Sequence, residues 1–211
     1  MLKKLQFLAV PAAVNLLLVI SPLAAESDYS NHAVTFNMVV SAGAKTCVPN
    51  ATAAVSIRRA GQVEIMEVAV QGLPPNTEFD FFVLQVPKAP FGVAWYQGDI
   101  QTDQHGRGRQ QFVGRFSIET FAFAQGSAAA PVVFNSGPFP DASINPPFNP
   151  IQMYHLGLWF GSPQAAQAAG CAATVTAFNG EHNAGIQAMN TSNFADDHGP
   201  LRSVPAAAAK P

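Results

Sequence analysis

Charge is scarce in this chain. Only 11% of its 211 residues are Asp, Glu, Lys or Arg, against a usual quarter or so. No basic patch or stripe is present, which argues against nucleic acid as a partner. No acidic run is present either. Cysteine is limited to Cys47 and Cys171. Neither has a second cysteine or a histidine at metal-ligand spacing, so a zinc-finger arrangement is excluded. The Gly-x-Ser-x-Gly elbow is missing, and no glycine-rich phosphate loop follows a strand and opens a helix. After residue 25 no segment is long and apolar enough to cross a bilayer, which takes roughly 20 residues.

The first 25 residues read as a secretion leader. Lys3 and Lys4 precede an apolar stretch from Leu5 to Ile20, and Ser21-Pro22-Leu23-Ala24-Ala25 supplies small residues for cleavage after Ala25. An uncleaved anchor is the alternative, for which the apolar run is short. Removing the leader with its two lysines takes the formal charge from −2 to −4. The predicted compartment is therefore secreted or periplasmic. There, an even pair of cysteines reads first as a disulfide, Cys47 to Cys171, with two buried free thiols or a metal pair as the alternatives. Closing a loop of that length is worth about 4–5 kcal/mol in the chain-entropy model, an upper figure for real bridges.

The remaining chain is large enough for one domain with a real core, predicted over 26–195 with a flexible tail at 196–211. Strands and turns follow one another without intervening helices. Ala33–Val40 is rich in β-formers. Thr52–Arg58 and Gln62–Gln71 are predicted to form a hairpin through Arg59-Ala60-Gly61. Met66, Val68 and Val70 share one face of the second strand by period two, with Glu64 and Glu67 on opposite faces. Pro74 and Pro75 end that strand. Phe79–Val86, apolar on both faces apart from Asp80 and Gln85, reads as a strand covered on both sides. Gly98–Thr102 and Arg109–Phe116 flank a turn in which Asp103 is placed to accept from the following amides. Gln125–Pro150 carries six prolines and no pattern; loops this long are commonly functional or disordered. Tyr154–Phe160 is a further strand. Ser162 caps a short helix over 163–169, with Pro163 at its first position and Gly170 after its end. Gly185–Thr191 is the last expected strand. The fold class is all-β: an antiparallel two-sheet sandwich of about eight or nine strands with one short helix.

Two segments carry a resemblance. Gly72-Leu73-Pro74-Pro75-Asn76-Thr77 followed by Phe79-Asp80-Phe81-Phe82-Val83, and Gly98-Asp99-Ile100-Gln101-Thr102-Asp103 with Gly106 and Gly108, are similar to the GLPPNT and TDxxGxG turns of an uncharacterised secreted bacterial β-sandwich family of immunoglobulin-like type. The resemblance covers about 50 of the 211 residues. It implies a fold and a compartment, and it brings no catalytic residue. A bacterial source makes glycosylation of the sequons at Asn50 and Asn190 unexpected.

The candidate chemistry is dispersed. His155, Gly157 and Trp159 share one strand face, with room over Gly157 between an imidazole and an indole. That face is either a platform for a ligand or metal, or a sheet face covered by a loop. Glu181-His182-Asn183 is the densest polar cluster, offering an acid/base pair or simply a loop entering the last strand. If His155 and His182 meet, a copper or zinc site with Met153 or Met189 is conceivable; otherwise no cofactor is expected. His105 falls at a hairpin tip, in water. Asp80, Asp99, Asp103, Glu119, Asp141 and Glu181 are scattered, and sequence does not select a carboxylate pair among them. Trp95 and Tyr96, between Gly92 and Gly98 in a loop-like stretch, face opposite ways and offer rings for a sugar, another small molecule or a protein partner. The reading favoured is a non-catalytic protein with a binding or cell-surface structural role. A periplasmic copper or zinc protein, and an enzyme using Glu181 and His182, are the alternatives.

Overall fold

The computed structural model describes residues 33–122, 151–180 and 182–206. The chain divides into residues 1–30 and 31–211, and every described residue belongs to the second unit. The predicted leader, the proline-rich 125–150 segment and Glu181 lie outside the described residues.

The architecture is antiparallel β, as expected, with a single short α-helix among the described residues. The strands are β1 (Val34–Val40), β2 (Thr52–Ala60), β3 (Val63–Gln71), β4 (Glu78–Leu84), β5 (Ala94–Gln101), β6 (Gly108–Gly114), β7 (Phe121–Ala122), β8 (Ile151–Gln152) and β9 (His155–Phe160). After helix α1 (Pro163–Ala168) come β10 (Thr176–Ala177), β11 (Asn183–Ala184) and β12 (Gln187–Asn190). Eight of them form one sheet in the order β5-β4-β9-β12-β1-β2-β3-β6, and β7-β8 and β10-β11 are separate two-stranded ribbons.

The two expected layers are thus halves of one continuous sheet. Strand β1 belongs to both: Val34–Met38 pair with β2, then Val39 and Val40 pair with Asn190 and Met189 of β12. The halves close on each other. Ile57, Met66 and Val68 from one side and Phe79, Phe81, Leu156 and Leu158 from the other share a single core. Phe81 of β4 stacks on Phe112 of β6 with ring centres 5.1 Å apart. Period two makes this work: β3 buries Glu64, Met66, Val68 and Val70 while the residues between them stay partly or fully exposed. Glu64 is the polar exception in that row. One of its carboxylate oxygens accepts from the Phe116 amide at 2.8 Å.

The β2–β3 turn is the two-residue pair Gly61-Gln62, one step later than predicted, with φ +65 at Gly61. The two motif turns are a single unit. Asn76 N–H donates to Asp103 O at 3.0 Å, Thr102 Oγ1 accepts from Thr77 N–H at 2.9 Å, and the same hydroxyl donates to Pro74 O at 2.7 Å. Asp103 accepts from the His105 and Arg107 amides, which holds its carboxyl below the usual range. His105 is exposed there.

Ser162 caps α1 as predicted, its hydroxyl accepting from Ala165 N–H at 3.1 Å. The Cys47–Cys171 disulfide is present, with Cα atoms 5.1 Å apart across a sequence separation of 124. The predicted tail needs correction. Leu201 and Val204 are buried in the core, and the Ile118 amide donates to Val204 O at 2.8 Å. The polar composition after Asp196 hid these two apolar anchors. Asn190 is also buried and donates to Gln187 Oε1, so that sequon is inaccessible. No helix among the described residues is long and apolar enough to cross a membrane.

Candidate functional site: an aromatic cleft beside three carboxylates

The site lies on the outer face of the β5-β4-β9 half, where the β10–β11 ribbon folds back over the sheet. β4 alternates Phe79, Phe81 and Val83 into the core with Asp80, Phe82 and Leu84 outward, so its apolar run serves two layers. On β9, Leu156, Leu158 and Phe160 face the core, and His155, Gly157 and Trp159 face outward. Trp159 pairs with Asp80, Gly157 with Phe82 and His155 with Leu84.

Between this face and the ribbon is a cleft of about 410 Å³, walled by Phe82, Phe91, Trp159 and Phe178. The rings meet edge to face: Phe91 and Phe82 stand 5.1 and 5.2 Å from Trp159, and Phe178 stands 5.6 Å from Phe82. Tyr96 closes one end, 5.0 Å from Phe178. His182 lies against Phe178 at 4.5 Å. Such a volume, apolar walls and a polar rim are the usual dimensions of a small-molecule pocket.

Three carboxylates gather beside the cleft, outside its lining. Glu78 and Asp80 are two apart on β4 and therefore share a face, and Asp99 of β5 stands directly opposite Asp80. One oxygen from each of the three lies within 4.8 Å of the others. Asp80 is 1% exposed, and its Oδ2 has no hydrogen-bond partner. Burial, and then the neighbouring Asp99 and Glu78 carboxylates, push its pKa up to about 6, and His182 works in the opposite sense. Like charges directly across a strand pair are destabilising, so this arrangement holds tension that a proton or a cation relieves. The Tyr96 hydroxyl donates to Asp99 Oδ1 at 2.6 Å. Partial burial, and then that bond, push the phenol well above its ordinary range, so Tyr96 remains a donor.

A bulge makes this possible. Phe81 pairs with Gly98 and Phe82 with Tyr96, leaving Gln97 as the extra residue. Without it, Tyr96 and Asp99, three apart, would face opposite sides of the strand.

Of the predicted site residues, Tyr96, Trp159 and His182 come together here. Trp95 and Tyr96 do face opposite ways, but they sit on strand β5 rather than in a loop. Trp95 is 62% exposed and lines a separate depression with Gln97, Arg115 and Phe121. His155 does not join the site. It is fully buried, Nδ1 is 2.9 Å from Thr191 Oγ1, and Nε2 is 3.1 Å from the Asp196 carbonyl. A carbonyl only accepts, so Nε2 carries the proton, and burial holds the ring neutral by pushing its pKa down. Both nitrogens are engaged, and His155 and the Asp80–His182 end of the face are four β9 positions apart, on the order of 13 Å. The condition for a His155–His182 copper or zinc site, that the two rings meet, is not fulfilled. The expected gap over Gly157 is filled by the indole: a Cβ there would stand 2.4 Å from Trp159. Sequence reasoning did not single out Glu78 or the Phe82, Phe91 and Phe178 rings, and it left Asp80 and Asp99 unselected among scattered acids. Their signal was weak but present: Asp80 alone interrupts the apolar run from Phe79 to Leu84, and Asp99 is the one charged residue of β5.

No family model matches this chain, and no curated protein matches it.

Proposed function

We propose that this is a non-catalytic binding domain of the secreted or periplasmic space, which holds a small ring-bearing ligand, a sugar or a flat amphipathic molecule, in the Phe82–Phe91–Trp159–Phe178 cleft. The carrying observation is the cleft itself: four aromatic walls around about 410 Å³, with Tyr96 and His182 packed against the Phe178 wall and Asp99 hydrogen-bonded to Tyr96. Faces of sugars and flat rings stack on such walls, and hydroxyls or ammonium groups find the carboxylates. The disulfide and the leader-like first 25 residues support the compartment, as does the resemblance of the GLPPNT and TDxxGxG turns to secreted β-sandwiches.

The test is a fluorescence titration of the folded protein with a panel of oligosaccharides and small aromatic amines, since Trp159 lies in the cleft. The expected result is saturable binding that weakens at least tenfold in Phe91→Ala and Phe178→Ala and is unchanged in Trp95→Phe on the opposite face. Binding lost in the Trp95 variant and kept in the other two would overturn the assignment. Export is checked by the mass of protein recovered from the periplasm or medium, expected to start at Glu26.

A second reading, an acid/base enzyme, is favoured by one observation: Asp80, raised to about 6, sits against Asp99 with His182 nearby. Turnover of a panel compound, abolished by Asp99→Asn, selects that reading over simple binding.

A further inference from the structure

We propose that Glu78, Asp80 and Asp99 form a binding site for a hard divalent cation of the calcium class. The backbone fixes all three carboxylates. Glu78 and Asp80 alternate on β4, and register sets Asp99 opposite Asp80. Crowding three acids is not in itself a site. The second observation is Asp80: it is 1% exposed, and one of its two carboxylate oxygens, Oδ2, lacks any hydrogen-bond donor. A buried carboxylate oxygen left without a partner is costly, and no side-chain cation pairs with any of the three among the described residues' ion pairs.

The donor set selects the ion. Carboxylate oxygens suit hard cations, and the three are joined by neither thiol nor thioether. Calcium takes oxygens at about 2.3–2.6 Å, so two ligands on opposite sides of it stand at most about 5 Å apart, against roughly 4.2 Å for magnesium. The three oxygens lie within 4.8 Å of one another, a separation that calcium's longer bonds span. Glu78 and Asp99 are exposed, which leaves room for the waters that complete calcium's shell. The Tyr96 hydroxyl on Asp99 Oδ1 orients that carboxylate from behind. The same ion neutralises the repulsion between Asp80 and Asp99.

The cation site shares Tyr96 and Asp99 with the aromatic cleft reading, so its test uses metal alone. Chelator-treated protein is titrated with calcium while its melting temperature is followed. In parallel, terbium is added, excited through Tyr96 and Trp159, and displaced with calcium. Wild type is expected to melt roughly 3–6 °C higher at calcium ten times its Kd. Asp80→Asn and Asp99→Asn are expected to lose that rise and to weaken terbium binding at least tenfold. Phe91→Ala, in the cleft, keeps both responses. Asp99 is exposed, so its variant removes a ligand without disturbing the core. A wild type unmoved by calcium up to about 10 mM, above the range of weak extracellular sites, overturns the proposal. So do variants that respond like wild type, or a protein that answers to zinc or copper and not to calcium.

Discussion

Asp80 and His155 are two buried ionisable residues on one sheet face, and they respond to acid in opposite senses. Asp80 has a folded pKa of about 6, above its ordinary 3.8. Its proton therefore favours the folded state, and that contribution is present in acid and lost as pH rises through 6. His155 is held below its ordinary 6.5, so its contribution is present above 6.5 and lost as pH falls. Between pH 7.5 and 5 the two partly cancel in the wild type. Asp80→Asn leaves His155 unopposed. Measured in chelator by urea midpoints, this variant is expected to be more stable than wild type at pH 7.5 by up to about 1 kcal/mol, from relief of the cross-strand repulsion. It is also expected to lose more stability on going to pH 5. Parallel pH profiles for the two proteins would show that Asp80 is not the titrating group. His155 also marks a limit of sequence reading at this scale. It looked available because its strand neighbours are small or aromatic, yet its partners Thr191 and Asp196 arrive from the far end of the chain, where no pattern announces them.

At the scale of elements, turns and strands were largely legible because their causes are local. Alternation identified the buried face of β3, prolines ended it, and Ser162 with Pro163 and Gly170 delimited α1. The bulge at Gln97 was not legible, because it is a matter of pairing between strands. It alone brings Tyr96 round to Asp99. Nor was the docking of the two motif turns legible, although both turns were recognised. Gly106 shows how tight that docking is. With φ at +69, a Cβ there would stand 2.0 Å from the Leu73 carbonyl oxygen, a backbone atom with no freedom to move aside. Gly106→Ala is expected to cost more than about 2 kcal/mol by combining backbone strain with this clash, read as a lowered denaturation midpoint. Gly61→Ala, where no atom lies within 4 Å of the added carbon, shares the positive φ alone and is expected to cost less. Equal losses in the two variants would show that the turns do not press on each other.

Across the whole molecule, the disulfide joins the loop after β1 to the end of α1, immediately before the residues that lead into the β10–β11 ribbon. It thereby roots one wall of the aromatic cleft. Replacing both cysteines by serine is expected to cost about 2–5 kcal/mol and to weaken any cleft ligand more than it weakens calcium, since Glu78, Asp80 and Asp99 all stand on β4 and β5. Chemical denaturation with and without reductant, followed by both titrations, checks this; equal weakening of the two would place the ribbon's anchor elsewhere. The all-β class and the pairing of the cysteines followed from sequence. That the two layers are one sheet did not, because it depends on which strand β1 leaves and which it joins halfway along its length.

That shared strand sets an order of events. Val39 and Val40 find their partners only in Met189 and Asn190. A chain made from its amino end presents β1 early and β12 nearly last. The β2 and β3 hairpin, with β1 beside it, is complete long before, but the seam between the halves stays open until the ribosome has passed residue 190. A chain stopped short of that point keeps β1 half paired, with an unsatisfied edge available to any other strand. Under the proposed export, an extended chain would postpone this hazard until the last strand and the disulfide arrive together.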